Sequence, residues 1–278
     1  MNRSLTLGYS PCPNDTFIFY ALVHGRVPRA GFTLQERLED VETLNSLALQ
    51  SALDLTKISY HALGHLRQEY CLLKSGGALG RGCGPLVVAR QRLSLNDLRG
   101  KRLAIPGRLT TANLLLQLYS EGFDNLLILP FDQIMAAVVA GSVDAGVIIH
   151  ESRFTFQQYG LQPVLDLGRW WEQETGLPIP LGGILARRSL GAALISDIDS
   201  ALRASVEYAF AHPEEPKEYI KRHSQELSDQ VIESHIGLYV NDFSRDIGDE
   251  GQSAIEALFS RAEARGIIPS CNLPLFVS

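Results

Sequence analysis

The stretch at residues 75–92, SGGALGRGCGPLVVARQR, decides how the rest of the chain is read. It sets five glycines between Gly76 and Gly84, then Pro85 and an apolar extended run. Glycine at that density supplies a flexible connector or a close backbone approach, not the interior of an element. On either side stands a series of alternating strand and helix patterns.

Upstream, LTLGYS (5–10) reads as a strand and NDTFIFYALVHG (14–25) as a helix, with Asn14 or Asp15 as N-cap and Gly25 as its stop. FTLQERLED (32–40) alternates as a strand does, and VETLNSLALQSA has helical spacing. LDLTKIS is a short strand leading into a helix through YHALGHLRQEY. Downstream, KRLAIPG is a strand and TTANLLLQLYSEGF a helix. LLILP is a strand, DQIMAAVVAGS a helix and DAGVIIHE a strand. LGGILARRS (181–189) is again extended and returns the chain to the first series, and from about Asp197 the pattern is helical, broken at AHPEEP and near NDFSRDIGDEG.

At 278 residues the chain exceeds one compact unit. It reads as an α/β protein of two lobes, each a mixed sheet flanked by helices, with a cleft between them. Residues 1–88 and 185–278 are expected to form the first lobe and residues 89–184 the second. The crossings are placed at residues 85–90 and 182–187, as strand-like connectors of a hinge.

Hydrophobic residues make up 45% and charged residues 20%, as in ordinary soluble proteins. Net charge is −6, and the densest basic runs, ARRS and IKRHS, are short. A surface that tracks phosphates needs clustered Lys and Arg, so nucleic acid is not an expected partner. Cys12, Cys71, Cys83 and Cys271 form no CxxC pair, which predicts free thiols. The start, MNRSLTLGYSPCPND, has no apolar signal region, and no apolar run reaches the ~20 residues of a spanning helix. A cytoplasmic protein without membrane partners is expected.

Gly80, Gly82 and Gly84 do not make a dinucleotide fingerprint, because they precede a strand and not a helix. No GxxxxGK[ST] or GxSxG motif occurs. His61 and His65, spaced i, i+4, would present two imidazoles to one metal, but no HExxH pattern supplies a third ligand, and two ordinary histidines explain them. Cys12 at a helix start is a candidate nucleophile, weighed against a small residue fitted into a proline-shaped turn. Thr110 and Thr111 stand where an apolar helix begins after a strand, a place for an anion as well as for plain capping. Lys57 and Ser59 lie at the C-terminal end of a strand, where open α/β sheets bind ligands. His150 closes the apolar strand AGVIIH, with Glu151 next to it. A histidine at such an edge is suited to proton transfer near neutral pH, the alternative being a hydrogen-bonded structural residue.

Taken together, GYSPCPNDTFIFYALVHGRV, LEDVETLN, LTKISY, SGGALGRGCGPLVVA, GRLTTANLLL, AGVIIHESRFTF and WWEQETGLPIPLGGILARR resemble the 1,4-dihydroxy-6-naphthoate synthase family of the futalosine route to menaquinone. The likeness runs from about Leu5 to Arg188 and is general in the helical remainder. It implies a periplasmic-binding-protein-like (type II) fold of two lobes used as an intracellular enzyme, and the lack of cofactor and metal motifs leads to neither being expected. It implies a lyase that releases dihydroxynaphthoate from cyclic dehypoxanthine futalosine, a small substrate carrying a carboxylate. It further implies a histidine base at His150 and substrate contacts at Lys57, Ile58, Ser59, Thr111 and Ala112. Ser59, Thr111 and backbone amides are expected to hold the carboxylate, with Arg108 and Lys57 the nearby cations that would compete for that role. Two other readings stay open: a chorismate dehydratase of the same route, in which the IIHESRF histidine is not expected, and a small-anion binding module without catalysis. Oligomeric state is not predicted.

Overall fold

The structure, a computed structural model, describes residues 3–224 and 228–277. Met1, Asn2, residues 225–227 and Ser278, all assigned above to the first lobe, lie outside the described residues.

Among the described residues, eleven strands make two mixed sheets. They are β1 (Arg3–Tyr9), β2 (Phe32–Leu38), β3 (Leu55–Ser59), β4 (Tyr70–Leu72), β5 (Ala78–Gly80), β6 (Leu86–Ala89), β7 (Leu103–Ile105), β8 (Leu126–Ile128), β9 (Ala145–Ile148), β10 (Gln162–Asp166) and β11 (Ile179–Arg187). The first sheet runs β2-β1-β3-β11-β4, with β5 also paired to β11. β1 is parallel to β2 and β3, whereas β11 is antiparallel to β3, β4 and β5. The second sheet runs β10-β6-β9-β7-β8, parallel through β8, β7 and β9 and antiparallel through β6 and β10.

Both expected connectors are sheet strands. The 88/89 division falls inside β6, which pairs along its length with β9 and β10. The 184/185 division falls inside β11, which is flanked by β3 on one side and β4 and β5 on the other. Their burial is the reason: β6 is buried throughout and β11 at all but Leu181 and Arg187, which fits an inner strand better than an exposed hinge. The chain passes between the sheets just before β6 and just before β11.

The helices are α1 (Pro13–Val23), α2 (Val41–Leu49), α3 (Tyr60–Leu66), α4 (Thr111–Tyr119), α5 (Phe131–Val139), α6 (Ser152–Thr155), α7 (Leu167–Thr175), α8 (Ala192–Ala211), α9 (Lys217–His223), α10 (Asp229–Tyr239), α11 (Asp242–Arg245) and α12 (Gly248–Ala264). α1 starts earlier than expected, with Cys12 as N-cap, because Pro13 is preset for the first helical position and needs no hydrogen-bond partner for its nitrogen. It is buried from Pro13 to Leu22 and packs against the C-terminal helices α8, α9 and α10. Asp40 caps α2 by accepting from the amides of Glu42 and Thr43, and Thr110 caps α4 by accepting from Asn113.

One apolar core lies between the first sheet and α1 with α8, around Leu7, Phe19, Ile184 and Leu202. Another lies between the second sheet and α5, around Val88, Ile134 and Ile148. The largest is continuous across both sheets, from Leu44 and Ile58 through Val87 and Leu115 to Ile255. Among the described residues, no helix is long and apolar enough to cross a membrane.

Candidate active site

Four loops leave the carboxyl ends of parallel strands on one side of the molecule. Residues 10–12 follow β1, Ser59 ends β3, the segment before α4 follows β7, and Ile149 to Glu151 follow β9. In an open α/β sheet this edge is where ligands bind. The loops enclose one cleft, whose walls include Lys57, Ile58, Ser59, Thr111, Ala112 and His150. The structure thus brings together all six residues singled out from the sequence. α10 closes the cleft from the C-terminal region with His235 and Tyr239.

Thr110 is occupied with capping. Its hydroxyl donates to the Gly107 carbonyl at 2.9 Å and accepts from the Asn113 amide at 3.3 Å. Thr111 is a bridge, for its hydroxyl accepts from the Tyr60 amide at 2.9 Å and donates to the Leu181 carbonyl at 2.5 Å. Its proton is therefore already used, and the Thr111 hydroxyl ties α3, α4 and β11 into one wall. What this wall offers an anion is the amides of Thr111 and Ala112, which as the first two of α4 have no carbonyl partner within the helix. Ser59 adds a hydroxyl. Its amide donates to Asn45 Oδ1 at 3.1 Å and its oxygen accepts from Asn45 Nδ2 at 3.4 Å, while among the described residues its own proton meets no acceptor.

Lys57 does not stand as a free cation. Its ammonium lies 2.7 Å from Asp15 Oδ1, with both side chains almost fully buried. Asp15 also receives the Asn14 amide nitrogen at 2.8 Å and the Ser10 backbone amide at 3.2 Å. The turn Ser10-Pro11-Cys12-Pro13 is tightened further by Cys12 N–H donating to Ser10 Oγ at 3.2 Å. Two prolines with fixed φ and this set of bonds hold Asp15 against Lys57. Arg108 is exposed and belongs to the lining of a separate groove, beside Gln117 and Arg265.

His150 lies two residues beyond the end of β9, and its φ is +56°. A side chain other than glycine in the left-handed region is uncommon, and histidine is among those that tolerate it best. That backbone turn aims the ring between Phe131, edge-on at 5.0 Å, and His235, parallel within 14° at 6.1 Å. Burial pushes the His150 imidazole below the usual histidine range, with the charges of Glu151 and Asp15 pulling the other way. Its neutral form, able to accept a proton, therefore prevails near pH 7.

Cys12, His150 and Glu151 place ligand atoms within 4.8 Å of one another, whereas His61 and His65 belong to no such cluster among the described residues. Burial, followed by the charge of Glu151, pushes the Cys12 thiol well above its usual range. A nucleophile or a metal ligand needs the thiolate, so burial overrides the helix-start effect that made Cys12 a candidate. The His61 and His65 rings lie 5.5 Å apart and tilted by 42°, and burial lowers His61 to about 4. Sequence reasoning missed His235, Asn14 and Tyr239. A signal existed for the first: Ile232, His235 and Tyr239 share the buried stripe of α10, and a histidine on such a stripe needs a polar partner.

A profile of the menaquinone biosynthesis family matches residues 5–264. A Thermus thermophilus protein named 1,4-dihydroxy-6-naphtoate synthase is 58% identical over 275 residues, 99% of this chain and 100% of that protein. A Streptomyces coelicolor protein of the same name is 47% identical over 272 residues, 96% of this chain and 95% of that one. Among solved structures, a protein of Archaeoglobus fulgidus superposes with a TM-score of 0.90 at 39% identity, covering 95% of this chain and 98% of its own. The periplasmic aliphatic sulphonate binding protein of Escherichia coli superposes with a TM-score of 0.65 at 15% identity, covering 97% and 90%, a likeness of fold.

Proposed function

The chain belongs to the menaquinone biosynthesis family, and on that premise we propose that it is a lyase converting cyclic dehypoxanthine futalosine to 1,4-dihydroxy-6-naphthoate, with His150 as the general base. The observation that carries this reading is the position of His150. A neutral imidazole, fixed by an unusual backbone turn, stands at the wall of a cleft built from strand ends. Relatives named for this enzyme over nearly their full length support the assignment.

The product is aromatic, so breaking the bond to the sugar-derived part of the substrate gains aromatic stabilisation. Such a reaction is started by proton removal, and a base within reach typically contributes ~10²–10⁴ in rate. The substrate carboxylate is received by the Thr111 and Ala112 amides and the Ser59 hydroxyl, in place of a guanidinium clamp. Lys57 and Ile58 form the wall beside it, with the Lys57 charge balanced by Asp15. The first lobe comprises the first sheet with the C-terminal helices, the second lobe the second sheet. The interlobe boundaries then fall just before β6 and just before β11 rather than at 88/89 and 184/185.

The test is incubation of the purified protein with cyclic dehypoxanthine futalosine and, separately, with chorismate, followed by product identification. Release of 1,4-dihydroxy-6-naphthoate from the first, and no turnover of the second, is the expected result. Dehydration of chorismate would replace the reading with that of the dehydratase, and no reaction with either would leave a binding module.

A further inference from the structure

The Lys57–Asp15 pair controls a group at the opposite end of a hydrogen-bond chain. Asp15 Oδ1, already on the Lys57 ammonium, accepts Asn14 Nδ2 at 2.8 Å. That contact turns the Asn14 amide so that its oxygen faces His235, 2.9 Å from Nε2. An amide oxygen only accepts, so Nε2 carries the hydrogen, and in a neutral imidazole Nδ1 is then a bare acceptor. Burial holds His235 well below the usual histidine range, the Lys57 charge acts in the same direction, and the ring stays neutral at pH 7.

Nδ1 of His235 faces Oε2 of Glu151 at 3.9 Å, beyond hydrogen-bond reach. Neither atom has a hydrogen-bond partner among the described residues, and His235 is only 1% exposed. Two acceptors directed at each other inside a protein are costly unless a donor stands between them. His235 comes from α10 and Glu151 from the turn after β9, so the pair spans the cleft rather than one element.

The geometry points to His235 Nδ1 and the Glu151 carboxylate as an acceptor pair that receives a ring hydroxyl of the ligand. A hydroxyl supplies the one hydrogen this pair lacks. The parallel His150 and His235 rings, with Phe131 edge-on to His150, give an aromatic hydroxyl flat neighbours. The contact is a hydrogen bond, and no bond is made or broken in it. The inference rests on the functional reading above and deepens it. The α4 amides and Ser59 select a carboxylate, and this pair selects among aromatic carboxylates those that carry a hydroxyl. The SPCPND turn acquires a role at a distance, because Asn14 and Asp15 decide which nitrogen of His235 is bare.

Titration calorimetry under reducing, oxygen-free conditions tests the pair. The two ligands are 1,4-dihydroxy-6-naphthoate and 2-naphthoate, which keeps ring and carboxylate and lacks the hydroxyls. The wild-type protein is expected to prefer the dihydroxy compound about tenfold or more, the scale of one hydrogen bond to a buried acceptor. In His235→Phe that preference falls to about threefold or less while 2-naphthoate affinity holds. Nitrogen-15 shifts of the ligand-free wild-type protein, which need no variant to fold, are expected to show His235 protonated at Nε2 and bare at Nδ1. A protonated Nδ1, equal affinity of the wild type for both compounds, or an intact preference in His235→Phe overturns the proposal. A wild-type protein that binds neither compound sinks the functional reading and the hydroxyl subsite with it, whereas one that binds both equally sinks the subsite alone.

Discussion

Replacing Lys57 with methionine keeps most of the stem and removes the charge, which leaves Asp15 as a carboxylate in a nearly closed site. The two side chains are 9% and 3% exposed and 2.7 Å apart. Breaking such a pair by removing one partner costs about 3–5 kcal/mol, since the remaining charge is buried without compensation. Asp15 keeps two donors, the Ser10 amide and Asn14 Nδ2, so the lower end, ~3 kcal/mol, is expected. With ~2.1 cal/mol/K of unfolding entropy per residue, a chain of 278 residues loses about 5 °C in Tm for that change. Thermal denaturation followed by circular dichroism reads the shift, and urea midpoints check it independently. The second arm adds Asp15→Asn, which removes the stranded charge and keeps an acceptor oxygen for one of the two donors, which bond different Asp15 oxygens. The double variant is expected to recover at least half of the loss, because a buried pair replaced as a whole is far cheaper than a pair broken. A single variant as stable as wild type, or a double variant no better than the single, would refute the account of Lys57 and Asp15 as a mutually dependent pair.

His150→Asn keeps a residue that tolerates the left-handed backbone, so it is expected to fold and bind while kcat falls at least ~100-fold; near wild-type turnover ends its role as base. Because burial lowers His150, the acid limb of kcat/KM is expected below the ordinary ~6.5, with activity falling as pH drops through the folded-state value; a limb above 6.5 contradicts a buried neutral base. Ser59→Ala removes one donor to the carboxylate and is expected to weaken binding of 2-naphthoate by ~1–3 kcal/mol, whereas an unchanged Kd removes Ser59 from the anion site. His61 titrates near 6.5 when unfolded and about 4 when folded, so its contribution is complete above 6.5 and is lost as pH falls towards 4. His61→Leu is therefore expected to show an acid-induced loss smaller by up to ~3 kcal/mol over that window, and denaturant midpoints at pH 7 and pH 4 measure it.

What was legible in the sequence was local. The β1–α1, β3–α3 and β7–α4 units and strand β9 carry their own periodicity, and each ends a strand where the cleft forms, which is why Lys57, Ser59, Thr111 and His150 stood out together. The illegible parts depend on partners far along the chain. β6 and β11 looked like connectors because β10, a half-buried edge strand containing Pro163, gives little alternation and hides the partner of β6. The fate of the Thr111 proton was set by the Leu181 carbonyl, 70 residues away, and no local spacing encodes that. His235 was missed for the same reason: its bond to Asn14 spans 221 residues.

The place of β11 between β3 and β4 bears on how the protein is made. The first sheet cannot close until residue 187 has been synthesised, although three of its strands are finished by Ser59. At ~5–20 residues per second, the intervening chain takes roughly 6–26 s to appear on the ribosome. During that interval β3 presents an unpaired apolar edge, and by Asp166, before β11 exists, β6 to β10 supply every strand of the second sheet. The last strand of the second sheet is thus made before the strand that occupies the middle of the first, and a nearly complete half-sheet must wait for it with an open edge, the exposure that favours mispairing.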